Sequence, residues 1–171
     1  MIGEIKIGLV CCMLSIFASS CTISYKLNGA SIDYTKTKTI SIKDFPNQAP
    51  LVYPPLAQKF TEELKDIYVR QTRLHSVNNN GDLEIEGEIT GYDLTPLAVK
   101  ENAYASQTKL TMTVRVRFTN RANPTKDFEQ SFSANRDFDA TQMLQDVQES
   151  LSKQMIQEIV DQIFNTTVAD W

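Results

Sequence analysis

Hydrophobic and polar positions fall into clean periods along this chain. Lys109 to Asn120 is the clearest stretch: Leu110, Met112, Val114, Val116 and Phe118 alternate with Thr111, Thr113, Arg115, Arg117 and Thr119. That is the two-residue period of a strand with one buried face. Leu83 to Leu94 repeats it, with Leu83, Ile85 and Ile89 opposite Glu84, Glu86 and Glu88, and Gly87 on the apolar side. Thr95-Pro96 ends that strand, because proline cannot donate to a ladder. Ile40 and Ile42 share one side of a short strand over Thr39 to Phe45, broken by Pro46 to Pro50. Phe128, Phe132 and Ala134 mark the last strand.

Two stretches follow the helical period instead. Pro54-Pro55 opens the first, since proline suits a first turn whose N–H groups have no partner. Leu56, Phe60, Leu64, Ile67 and Tyr68 then recur to about Gln71. The second places Leu144, Val147, Leu151, Met155, Ile159 and Ile163 on one stripe, widened by Ile156, Val160 and Phe164, with Asp139 and Gln142 as a capping pair ahead of it. Between them, Arg73 to Val77 is a short extended piece, closed by the turn formers Asn78 to Asp82. The order is β-α-β-β-β-α. It predicts an α+β two-layer sandwich, a four-stranded mixed sheet with two helices packed on one face. Leu110, Met112, Val114, Val116 and Phe118 are expected beneath Leu151, Met155 and Ile159 of the last helix and Phe60 and Leu64 of the first.

The N-terminus reads differently. Ile7 to Ala18 carries no charge, yet as a helix it rises roughly 18 Å, well short of a bilayer core. It suits a signal-peptide apolar region behind Lys6 and the amino terminus. Ala18-Ser19-Ser20-Cys21 follows and resembles the lipobox of bacterial lipoproteins, in which the cysteine becomes the acylated first residue. The alternative is an ordinary secretory signal with an incidental Cys21. Of three cysteines, Cys11 and Cys12 lie in the discarded segment, so Cys21 has no disulfide partner in the mature chain. The boundaries are therefore 1–20 signal peptide, 21–38 lipidated tether and 39–171 folded domain. Thr22 after the cysteine, by resemblance to sorting signals, favours the outer membrane and its periplasmic face.

Charge and chemistry narrow the function. Seventeen Lys and Arg against twenty-one Asp and Glu give −4, without the basic block that nucleic-acid binding needs. His75 is the one histidine, too few ligands for a zinc site and no base for a nucleophile. No phosphate loop or dinucleotide fingerprint is present. Glu84, Glu86 and Glu88 invite an acid–base reading, but a hairpin centred between Pro96 and Gln107 sets Glu88 against Arg115 and Glu86 against Arg117. A salt-bridged polar sheet face is the better account. The residues thus point to no enzyme, no cofactor and no metal.

With the helices on one side, that polar face is either solvated or turned to a partner, such as the polar interior of a wide outer-membrane barrel. Four stretches carry a family resemblance here: Phe45-Pro46-Asn47-Gln48-Ala49, the run from Gln71 to Pro96, Lys109 to Phe118, and the ending Ile163 to Trp171. Together, behind a lipobox, they resemble the LptE family of LPS-assembly lipoproteins in its Bacteroidetes-type form, over nearly all of the mature chain. The resemblance implies a small sheet with two helices on one side and an outer-membrane lipoprotein that plugs the LptD barrel and helps it assemble. It also implies lipopolysaccharide binding and delivery to the outer leaflet. The competing class is a periplasmic lipoprotein that binds a small ligand or scaffolds another envelope complex. Lipid A is anionic and acylated, so Lys100 and Lys109, in the loop from Leu97 to Lys109 with Tyr104, are candidate LPS contacts. A solvated loop, its charge partly offset by Glu101, is the plainer alternative.

The lipobox makes a direct prediction. Mass analysis of the mature protein from its native host should show acyl chains on Cys21, and Cys21→Ala should block processing or release the protein from the membrane. An unmodified soluble product would overturn the lipidation.

Overall fold

A computed structural model describes residues 32–97 and 106–169; Cys21, Lys100 and Tyr104 lie outside them. The elements are β1 (Thr39–Ile42), α1 (Pro55–Gln71), β2 (His75–Ser76), β3 (Leu83–Pro96), β4 (Gln107–Asn120), a 3-10 turn (Pro124–Lys126), β5 (Phe128–Asp139), α2 (Leu144–Phe164) and a π-turn (Asn165–Ala169). The sheet is mixed and has five strands in the order β2-β1-β3-β4-β5, not the expected four. The additional strand is part of the extended piece after α1. β1 pairs in parallel with β3 on one side, which leaves backbone groups on its other side to be satisfied. His75 N–H donates to the Lys38 C=O at 2.8 Å and Val77 N–H to the Ile40 C=O at 2.9 Å, which makes β2 the parallel edge.

β3 and β4 form the long antiparallel hairpin that alternation predicts, with Glu86 opposite Arg117 and Glu88 opposite Arg115. The register shifts between Ile89 and Gly91, so Thr90 is an extra residue, a β-bulge. The bulge changes the phase of β3 and turns Tyr92 inward, where it is fully buried. Gly87 serves close packing: a Cβ there would meet the Arg115 C=O at 2.1 Å and Phe45 Cε1 at 2.6 Å. Without that Cβ, Phe45 tucks against the sheet and meets Phe60 at 5.1 Å between ring centres. β1 stops at Ile42 rather than Phe45, but its chain continues along β3, where Ile89 N–H donates to the Pro46 C=O and Gln48 N–H to the Ile89 C=O, both at 2.9 Å.

One core joins both helices to the same sheet face. Leu110, Met112, Val114, Val116 and Phe118 are buried with Leu56, Phe60 and Leu64 of α1 and Met155, Ile159 and Ile163 of α2. Leu151 departs from the expectation: it is half-buried, while Ser152 beside it is fully buried. The physical reason is a hydrogen bond of 2.8 Å between Ser152 Oγ and the Tyr92 hydroxyl, which Gln148 also reaches at 3.2 Å. α2 also starts later than the Asp139–Gln142 pair suggests. Asp139 is still paired with Gln107 in the sheet, and its carboxylate accepts from Thr141 N–H and Oγ1. That turn holds the carboxyl below its ordinary pKa.

The burial pattern separates two residues on one helix. Ile159→Ala should cost about 2–5 kcal/mol, the range for emptying a buried site, and Leu151→Ala should cost clearly less. Chemical denaturation of both variants checks the ordering; the reverse order would mean that α2 is rotated about its axis.

Candidate functional site: the charged face of the sheet

The hairpin alternation that buries one face of β3 and β4 places charged residues on the other. Arg117 stands in the middle strand and bridges its neighbours: Nη1 lies 3.1 Å from Glu86 Oε1 on β3, and Nη2 3.1 Å from Glu129 Oε2 on β5. Glu129 above all, then Glu86, raises the guanidinium pKa above its ordinary value. Arg115 pairs with Glu88 at 3.4 Å, and Arg121 with Glu84 at 2.9 Å. Glu86, Glu88, Arg115, Arg117 and Glu129 line an open groove of about 320 Å³, bordered at the β1 end by Lys43 and Asp44.

All five face residues expected from the sequence come together here. Glu129 and Arg121 were not expected. Glu129 joins through the β4–β5 register, which places it opposite Arg117, and Arg121 lies just past the end of β4. Farther along, hydroxyls predominate, with Thr113 Oγ1 3.2 Å from Ser133 Oγ and Asp93 opposite Thr111. Lys109 belongs to this face at its far end, between Thr95 and Asp137 in register. It is half-buried and separated from Arg115 by Thr111 and Thr113. His75 is exposed on β2, away from these groups.

Chemically, the face can hold anions and cations in exchange for its own ion pairs, and it offers neutral hydroxyls beside them. Among the described residues no group of His, Cys, Asp and Glu side chains is arranged to hold a metal ion. Nor does a helix among them have the length and apolar character to cross a membrane.

A sheet sealed by helices on one side and charged on the other defines a small α+β domain suited to presenting a surface. The chain belongs to the LptE lipopolysaccharide-assembly family, whose family model matches residues 37–167. Among solved structures it is similar to a minor lipoprotein from Acinetobacter baumannii, with 16% identity and TM-score 0.47, over 74% of this chain and 89% of that one. It is also similar to an uncharacterized lipoprotein B from Nitrosomonas europaea, with 18% identity and TM-score 0.48, over 74% and 79%. Rare lipoprotein B from Shewanella oneidensis aligns at 12% identity and TM-score 0.45, over 75% and 92%. Comparison with curated proteins returns no match.

Exposed ion pairs contribute little to stability. Arg117→Ala should therefore leave the denaturation midpoint close to that of the parent protein. A large loss of stability would make the pairs part of the scaffold instead of a presented surface.

Proposed function

We propose that the protein is an outer-membrane lipoprotein, anchored through Cys21 on the periplasmic side, that associates with the LptD barrel as plug and assembly factor. In that role it supports lipopolysaccharide transport and insertion in the outer leaflet without catalysing a reaction. The carrying observation is the two-faced sheet: one face sealed under α1 and α2, the other a field of exposed ion pairs. Barrel interiors are polar where their exteriors are apolar, so Glu84, Glu86, Glu88, Arg115 and Arg117 are suited to lie against a barrel wall. Membership of a lipopolysaccharide-assembly family supports the same direction. The small-ligand alternative asks for an apolar chamber between helices and sheet. Instead, Phe60, Leu64, Met112, Val114, Met155 and Ile159 fill that interface with no exposure of their own.

Lys109, which belongs to β4 and not to the loop expected from the sequence, supplies a cation at that end of the sheet, and Lys100, in the connection between Leu97 and Gln107, would add a second. With neighbouring apolar surface, cations of this kind match the phosphates and acyl chains of lipid A. The half-exposed Leu94 lies on β3 near the same end, opposite Leu110 and so on the helix side of the sheet, across from Lys109.

Detergent extraction and affinity isolation of the native lipoprotein should recover a large outer-membrane barrel in stable proportion. Replacing Lys100 and Lys109 together by Glu should weaken LPS binding at physiological salt while folding and barrel recovery persist. Isolation without a barrel overturns the plug role, and unchanged LPS affinity removes these lysines from the binding site.

A further inference from the structure

The two edges of the sheet are unequal. At one, β2 is two residues long and offers little for another strand to pair with. At the other, β5 runs for 12 residues without the proline or lysine that commonly blunts an edge. The ladder geometry shows which backbone groups this edge leaves open. Leu97 N–H donates to the Gln107 C=O at 2.9 Å, so odd-numbered positions of β4 direct their backbone groups to β3 and even-numbered ones to β5. Carried through the β4–β5 register, Gln130, Phe132, Ala134 and Arg136 face β4. The N–H and C=O groups of Glu129, Ser131, Ser133, Asn135 and Asp137 therefore point off the sheet. All five residues are exposed. None of their N–H groups has a partner among the described residues, while the Asn135 C=O accepts from Arg136 Nη1 at 2.7 Å.

The side chains select what this edge would take. On the charged-face side β5 presents Glu129, Ser131, Ser133, Asn135 and Asp137, with no base among them; Glu129 shares its carboxylate with Arg117 of β4, and Asp137 lies opposite Lys109. Arg136 points to the helix side, where Glu158 of α2 binds it at 2.7 Å. A second copy of the chain is a poor occupant. Antiparallel self-pairing centred on Ser133 sets Glu129 against Asp137, and like charges directly opposite are destabilising. No other register supplies a base on that face.

We propose that the β5 edge is a strand-addition site for an extended segment of another protein, with Lys or Arg alternating along the face that meets Glu129 and Asp137. Backbone pairing to the outward groups of these residues, the occupied Asn135 C=O excepted, would supply affinity and the acidic side chains selectivity. This goes beyond the barrel reading, because it concerns the sheet's edge and stands whether or not the charged face meets a barrel wall.

The test uses the full chain and a synthetic peptide of about nine residues, an ordinary strand length, in which Lys alternates with Thr. A second peptide carries Glu in place of Lys. Fluorescence anisotropy should show the Lys peptide binding on the order of tenfold tighter than the Glu peptide, a difference a few cross-strand charge pairs can supply. Hydrogen exchange should slow at the amides of Ser131, Ser133 and Asn135. Ser131→Pro, which deletes an outward N–H that β4 does not use, should weaken binding about as much, with Ser131→Ala as the unaffected control. If Ser131→Pro does not fold, Asp137→Lys carries the test by abolishing the preference for the Lys peptide. Absence of binding, equal affinity for both peptides, protection away from β5, or a β5-paired homodimer would each overturn the proposal.

Discussion

The antiparallel pairing that sets Glu86 opposite Arg117 and Glu88 opposite Arg115 also directs Leu110, Met112, Val114, Val116 and Phe118 to the helices. A slip of one residue would exchange the two faces, exposing the apolar row and burying the ion pairs. Register is therefore specified twice, by burial on one side and charge on the other. Burial is the stronger of these constraints, because it removes whole side chains from water while the ion pairs stay solvated. The bulge at Thr90 acts within this scheme. It re-phases the end of β3 so that Tyr92, rather than Gly91, turns to the core, where Tyr53 stacks on it at 6.3 Å between ring centres.

Each helix is also pinned by a buried hydroxyl. Tyr92 meets Ser152 of α2 at 2.8 Å, and the fully buried hydroxyl of Tyr68 on α1 bonds Thr167 in the π-turn after α2. Burial raises the pKa of both phenols, so they stay neutral and can donate. Apolar packing fixes which face of a helix is buried, but it tolerates small slides. A buried hydroxyl that loses its partner leaves a polar group unsatisfied, which penalises those slides. At the other side of the sheet, the Asp82 carboxylate ties β3 to β1 by accepting the Lys38 and Thr39 N–H groups at 2.8 and 2.9 Å. The Lys38 bond is the leading cause that holds this carboxyl below its ordinary pKa.

What the sequence reveals follows from how local each feature is. The long strands and the Glu–Arg register were legible because alternation and hairpin arithmetic need only neighbouring residues. β2 was not, because His75 and Ser76 have no apolar pattern and become a strand only when β1 offers its far edge. The capping pair does not form for a similar reason: a strand partner, Gln107, claims Asp139, and α2 begins at Leu144. Ser152 outranks Leu151 in burial because Tyr92, remote in sequence, requires its hydroxyl. Arg121 and Glu129 are less legible, because each enters the charged face from a turn or a third strand. Their only signal was charge at the end of an alternating run.

The composition of the charged face bears on what it can meet. Its bridged groups are four carboxylates, Glu84, Glu86, Glu88 and Glu129, and three guanidinium groups, Arg115, Arg117 and Arg121. Those bridged groups are almost neutral in sum, and the face around them is polar. A strongly one-signed surface would steer a partner from a distance and would need an opposite charge to bind it. A self-paired face exerts little long-range field and does not require that complement. It can approach a wall of mixed polarity, because each of these bridged charges keeps an ion-pair partner within its own sheet when water is displaced. Exchange of those partners at short range then sets the fit. In the proposed plug role, neutralising those charges locally would avoid much of the desolvation penalty that unpaired charges carry in a polar cavity.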